Sequence, residues 1–296
     1  MRYSGRTTNT LKALAIAVVS FSGLIGNSSS PRAADDLAKQ ATNPAAPLIQ
    51  LQLQDSFTPS SHGVDGWANS GIVQPVIPFV LGDDYYFQSI ITRTTIPFVS
   101  TAEVAGKNGK KRKNGVGDTT VMIAPAHKQA MGTGGNGFEW GPIAAIQLPT
   151  GSTRATGSGH WAAGPGLLAI LSFNSVAAEG DALQIGGFGY NIWSFAETRS
   201  TTSEINKAYF APVVVYHFDS LFGQKNWYAG LPDDLWQYDW EANRLITAPV
   251  GLRLGKVFSI GKQPVNVFGQ SWWNAADTKG SPEWNAKFNV TLLFPK

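Results

Sequence analysis

Lys287-Phe288-Asn289-Val290-Thr291-Leu292-Leu293-Phe294-Pro295-Lys296 closes the chain in near-strict alternation. Phe288, Val290, Leu292 and Phe294 share one face of an extended strand. Asn289 and Thr291 share the other. Successive strand side chains point to opposite faces, so the segment is built to meet an apolar medium on one side and a polar one on the other. The closing strand of a transmembrane β-barrel meets those two media as lipid and lumen. An edge strand of a soluble sandwich alternates in the same way, so the rest of the chain must choose.

The opposite end reads as an export signal over residues 1–34. Arg2, Arg6 and Lys12 form a basic start, Leu11 to Leu24 an apolar stretch, and Ala33-Ala34 a small-residue cleavage point before Asp35. A membrane-spanning helix needs roughly 20 apolar residues. Lys12, Ser20 and Ser22 interrupt this stretch too early for one. Removing the segment changes the charge. It carries Arg2, Arg6, Lys12 and Arg32 and no acid, so 23 basic residues fall to 19 against 20 acidic ones. The apparent basicity belongs to the signal, and no nucleic-acid partner is implied.

Composition agrees with a barrel. Charged residues make up 15%, aromatics 11%, and there are 32 glycines and 10 tryptophans. Zero cysteines exclude disulfides, thiolate metal sites and thiol catalysis. A barrel is closed by its own hydrogen-bond ladder and needs no covalent staple.

After the signal, residues 35–47 read as a short periplasmic segment. Asp35 to Ala41 forms one or two helical turns, stopped by Asn43-Pro44. Residues 48–296 read as the barrel. Strand-like segments lie near 48–57, 67–81, 84–99, 117–127, 137–149, 160–173, 182–196, 205–218, 226–238, 244–258, 264–275 and 283–294. That even number, twelve, predicts an antiparallel up-and-down transmembrane barrel. Alternation assigns the faces. Ile246, Ala248, Val250, Leu252 and Leu254 oppose Thr247, Gly251 and Arg253. Val265 and Val267 oppose Asn266, Gln270 and Asn274. Ala144, Ile146 and Leu148 oppose Glu139 and Gln147. Trp140, Trp161, Trp193, Trp227, Tyr228, Trp272, Trp273 and Trp284 fall near strand ends, where aromatic girdles sit. Prolines 75, 78, 97, 125, 142, 149, 165, 212 and 249 run against this pattern, because each removes a ladder donor.

Several of these segments also resemble a known family. They are Gln74-Pro75-Val76-Ile77-Pro78-Phe79, Ile91-Thr92-Arg93-Thr94-Thr95-Ile96-Pro97, Gly115-Val116-Gly117-Asp118, Gln147-Leu148-Pro149-Thr150, Asn191-Ile192-Trp193-Ser194-Phe195-Ala196 and Gly255-Lys256-Val257-Phe258 with Gly261-Lys262-Gln263-Pro264-Val265-Asn266. The chain is similar to proteobacterial outer-membrane proteins labelled bacterial "neuromedin U", or transporters of the phenol-degradation (MetA) pathway. The resemblance implies an outer-membrane β-barrel with a transport role and brings no catalytic residue. The chain departs from the family in the run 107–113 and in the Trp-rich stretch 227–240.

No enzyme is expected. His62, His127, His160 and His217 lack metal-site spacing, and no Gly-x-Ser-x-Gly elbow accompanies the serines. Asp83-Asp84 and Asp233-Asp234 read as turn caps. Gly132 to Gly137 reads as a flexible turn without the Lys-Ser/Thr of a phosphate loop. No cofactor or metal is implied.

Two functions stay open. One is a channel for small, apolar or aromatic molecules. The other is a structural or surface-interaction barrel whose lumen is packed with its own side chains. An outer-membrane hydrolase is a third and weaker reading. Arg93, Glu139, Gln147, Arg253 and Lys287 are the lumen candidates, either lining a path or pairing with each other, as Arg253 with Glu139. Phe288 and Phe294 are the expected signal for the barrel-assembly machinery. Lys107, Lys110, Lys111, Arg112 and Lys113 form a polybasic extracellular connection, suited to the phosphates of lipopolysaccharide among the outer-membrane lipids.

Overall fold

The computed structural model describes residues 31–102, 104–106, 109–132, 134–199 and 204–295. The export-signal reading falls mostly outside them. A helix, α1 (Pro31–Thr42), precedes β1 (Ile49–Ser61), β2 (Ala68–Val80) and β3 (Ser89–Ser100). A small hairpin follows, β4 (Val104–Gly106) with β5 (Gly109–Lys111), and then β6 (Asn114–Val116). The chain continues through β7 (Thr119–Met131), β8 (Asn136–Leu148), β9 (His160–Asn174), β10 (Ala182–Glu197) and β11 (Asn206–Phe218). It ends with β12 (Trp227–Gly230), β13 (Trp236–Asp239), β14 (Arg244–Thr247), β15 (Pro249–Ile260), β16 (Gln263–Asn274) and β17 (Pro282–Phe294).

The wall is a closed antiparallel barrel of 12 strands. Neighbours in sequence are neighbours in space, and β17 closes on β1 with Phe294 opposite Ile49. Each of the twelve predicted segments holds a wall strand. Two of these strands are broken: β12 and β13 form one, and β14 and β15 the next. Closure leaves no unpaired edge, which is the reason such a wall can stand in an apolar medium.

The faces follow the period-two pattern. Along β17, Asn285, Lys287, Asn289, Thr291 and Leu293 are buried inward, while Phe288 is 55% exposed on the outside. Val250, Leu252 and Leu254 are exposed outward, whereas Ala248 is buried. The reading of Ala248 as an outer-face residue is therefore corrected. The strand breaks there, and the Ala248 N–H donates to the Asn274 side chain at 2.7 Å instead of to a backbone carbonyl of the ladder. Trp161, Trp193, Trp273 and Trp284 are exposed near one rim. Two members of the predicted girdle turn inward instead. Tyr228 is fully buried and Trp272 nearly so. Their polar atoms find partners inside, Asn266 Oδ1 at 2.8 Å and Asp234 Oδ2 at 2.6 Å.

The prolines sit where the ladder is already interrupted. Pairing between β7 and β8 lapses between Ile123–Ala144 and His127–Trp140, around Pro125 and Pro142. Pairing between β2 and β3 lapses beside Pro75, and between β9 and β10 beside Pro165. Pro97 lies between the stretches of β3 that pair with β7 and with β6. A residue without an N–H loses nothing at such a site. Glycine on the opposing strand lets the backbones close up. A Cβ on Gly141 would lie 1.7 Å from the Pro125 carbonyl oxygen. Gly141→Ala is expected to force these strands apart and cut the yield of folded barrel, measured as the fast-migrating unboiled band on a gel. Wild-type yield would show that the approach is not needed.

Candidate functional site: a chamber inside the barrel

The interior is polar on one side by simple alternation. In Ile49-Gln50-Leu51-Gln52-Leu53-Gln54 every glutamine points inward. Gln52 donates to Gln50 at 3.0 Å, Gln54 to Gln52 at 3.0 Å, and Gln74 of β2 to Gln52 at 2.9 Å. Thr95 of β3 extends the chain to Gln74 at 2.9 Å. The facing wall is aromatic and aliphatic. Phe188, Tyr190, Ile192 and Tyr209 lie there, and the Tyr190 and Tyr209 rings stack with centroids 5.0 Å apart.

Residues 36–48 close the lumen at the end where the chain's C-terminus lies. Leu37, Ala38 and Leu48 are buried against Val257 and Leu293. Lys39 Nζ donates to Asn174 at 2.8 Å, and the Thr42 hydroxyl bonds Gln184 at 2.8 Å and the His217 ring at 3.0 Å. Asn43 donates to the Glu139 carboxylate. The short segment ahead of the wall is thus a plug within the barrel's mouth. Leu37, Ala38 and Ala41 are spaced as one face of a helix, and that face needs a partner. Only a closed barrel offers one here.

A second element enters from the wall. β12 covers only Val215–Phe218 of β11 and Arg253–Lys256 of β15. β13 covers only Lys207–Phe210 of β11. Between them Pro232 ends the ladder, and Asp233, Asp234 and Leu235 turn into the lumen. The reading of Asp233-Asp234 as turn caps is corrected. Lys287 Nζ lies 3.0 Å from Asp233 and 2.6 Å from Asp234. Arg253 lies 3.8 Å from Asp233. Gln270 also donates to Asp234, at 2.6 Å. Two carboxylates taken from water need such compensation, since an unpaired buried charge is far costlier than an unpaired dipole. The carboxylates pull the segment inward, and the wall pays with an interrupted ladder beside Leu252, which is 73% exposed.

Plug, infold and wall line a chamber of about 270 Å³. Of the lumen candidates, Arg93, Gln147, Arg253 and Lys287 line it. Glu139 does not; it is taken up by Asn43 and by Lys128, 3.6 Å away. Arg253 pairs with Asp233 and not with Glu139. Sequence reasoning missed Asp233, Asp234, Tyr228, Trp272 and the plug. The glutamine alternation at 50, 52 and 54 was a signal open to it. So was Pro232, which cannot sit in a regular central strand.

Elsewhere, Phe288 and Phe294 stand on the outer face of the closing strand. Lys107 lies outside the described residues. The run it opens forms part of a hairpin where a plain loop was expected. Lys111 and Lys113 are exposed, and Arg112 donates to the Trp67 carbonyl at 2.6 Å with its guanidinium 3.4 Å above the Trp67 ring. Among the described residues no three His, Cys, Asp or Glu gather as a metal ion requires, and no helix is long and apolar enough to cross a membrane.

No family model matches the sequence, and no curated protein matches it. Solved structures do resemble it. An outer membrane channel from Pseudomonas putida aligns with a TM-score of 0.55 at 14% identity, over 83% of this chain and 94% of its own. The outer membrane phospholipase A of Escherichia coli aligns with a TM-score of 0.37 at 9% identity, over 84% of this chain and 90% of its own. At such identities the likeness to the Pseudomonas putida channel is one of fold: this chain is a barrel similar to a known outer-membrane barrel.

Proposed function

We propose that the protein is an outer-membrane channel for small apolar or aromatic molecules, closed by its own N-terminal helix. The observation that carries the reading is the chamber: a lumen space of about 270 Å³, part glutamine and part aromatic, with a separable plug as its floor. A barrel needed only as a shell gains nothing by keeping such a space open, since voids cost packing energy. The plug is held by a few hydrogen bonds and a small apolar contact, so its release is within reach of ordinary binding energies. The resemblance of the sequence to phenol-degradation transporters, and of the fold to an outer-membrane channel, supports the same class. The exposed aromatics at the rim and the closed ring of strands support the outer membrane as its place. The test is single-channel conductance in planar bilayers with and without the plug.

The packed-barrel reading keeps one observation in its favour, the ion cluster of Asp233, Asp234, Lys287 and Arg253 that fills part of the lumen. Silence in bilayers, with the plug present and with it removed, would select it.

The polybasic connection lies on the rim away from the C-terminus. With both termini on the periplasmic side it is extracellular, and its charges suit lipopolysaccharide phosphates, at about 1 kcal/mol per charge near an anionic surface. An epitope tag inserted at Gly109 is expected to bind antibody on intact cells. Labelling only after the outer membrane is permeabilised would invert the orientation.

A further inference from the structure

The chamber carries an unbalanced positive charge. Five ionised side chains line it: Arg93, Arg253 and Lys287 against Asp233 and Asp234. Both carboxylates are already engaged. Asp234 accepts from Lys287, Gln270 and Trp272, each at 2.6 Å. Asp233 takes Lys287 at 3.0 Å and Arg253 at 3.8 Å. Arg93 has no hydrogen bond and no ion pair with any described residue. Asp233 and Tyr190 act on it only through space, without a hydrogen bond, and the Phe188 ring lies across the lumen, 5.2 Å from the guanidinium carbon. Arg253 is also incompletely served. It is 8% exposed, and its Nε is buried without a hydrogen-bond partner.

A half-buried guanidinium presents five donors in a planar fork and cannot shed its charge. Lying over an aromatic face offsets part of the lost hydration but satisfies none of those donors. A carboxylate matches the fork in shape, bonds it with two parallel N–H donors, and would bring the chamber's net charge to zero. The remainder of such a ligand would meet Phe188, Tyr190 and Tyr209. Binding sites for larger ligands usually measure about 300–1,000 Å³, so a chamber of about 270 Å³ suits a single ring.

From this we infer that the chamber binds a small aromatic monocarboxylate, its carboxylate on Arg93 and its ring against Phe188 and the stacked tyrosines. The inference rests on the channel reading for its biological sense, but its test does not.

The test is calorimetric titration of the full processed chain, purified in detergent, with benzoate, its neutral counterpart benzamide, and acetate. Benzoate is expected to bind at least about tenfold tighter than benzamide, a difference of about 1.4 kcal/mol, and tighter than acetate. In Arg93→Gln the preference for benzoate over benzamide should vanish, and in Arg93→Lys it should survive in part, because a point charge replaces the fork. Equal binding of benzoate and benzamide by the wild-type protein overturns the inference without any variant. Equal binding of benzoate and acetate overturns the aromatic half of it, and an unchanged preference in folded Arg93→Gln overturns the role of Arg93. Benzoate binding in a protein that never conducts would remove the channel reading and leave the acid site. Conductance without carboxylate preference would do the reverse.

Discussion

Deletion of residues 36–46 is expected to convert a barrel that is silent, or opens only rarely, into one with steady single-channel currents. The plug's polar anchors are Lys39 to Asn174, Gln184 to the Lys39 carbonyl, Thr42 to Gln184 and His217, and Asn43 to Glu139. A hydrogen bond contributes about 0.5–1.5 kcal/mol net, and somewhat more when one partner is charged. Burial of Leu37 with the small residues beside it adds about 1.5–3 kcal/mol. The sum is a few kcal/mol, enough to hold the plug seated and too little to make the seat permanent. Thr42→Ala with Asn43→Ala should then give an intermediate result. Each 1.4 kcal/mol lost raises the open fraction about tenfold while the plug stays mostly seated. The wall is unaffected in the deletion, because β1 begins only at Ile49. Closed records in both variants, with the folded band intact on gels, would remove the plug from any gating role.

Replacing Lys287 with Met should give the largest loss of stability of any lumen change. The Lys287 side chain is 4% exposed, and its ammonium reaches both Asp233 and Asp234. Taking it away leaves Asp233 with Arg253 as its ion-pair partner and Asp234 with only the neutral donors Gln270 and Trp272. Breaking a buried pair from one side costs about 3–5 kcal/mol, whereas replacing both partners by neutral groups costs far less. The temperature at which the unboiled band gives way to the unfolded one should fall sharply in Lys287→Met. It should recover most of that loss when Asp233→Asn and Asp234→Asn are added. The same single change should let residues 231–235 leave the lumen, since the ion cluster is the main force holding them there. An unshifted transition in Lys287→Met would mean that water, and not the lysine, compensates the acids.

Much of the wall was legible without coordinates. Phe288, Val290 and Leu292 against Asn289 and Thr291, or Ala144 and Ile146 against Glu139 and Gln147, need only the two-residue repeat of a strand and two unlike media. Strand count and ring order followed, because short connections make neighbours in sequence neighbours in space. Failures of the pattern fell where the ladder itself fails. Ala248 lies at a break, so counting by twos across it assigns the wrong face. Tyr228 and Trp272 were placed by position near strand ends, but a hydroxyl and an indole N–H with partners inside outweigh that tendency.

The contents of the lumen were not legible in the same way. Lys39 meets Asn174 across 135 positions, and Asn43 meets Glu139 across 96. Nothing local marks such pairs. Asp233 and Asp234, read alone, are ordinary turn residues; they become lumen charges because Lys287 of the closing strand stands opposite once the ring is shut. Sequence by itself determined the barrel, its twelve strands and the side most residues face, since each of those is imposed residue by residue through contact with lipid or water. Only the tertiary structure decided that the N-terminal helix stops the mouth, that one wall strand breaks inward, and that Arg93 is left without a direct ion pair among the described residues. Those outcomes depend on which groups meet across an enclosed space, and that is set only when the last strand pairs with the first.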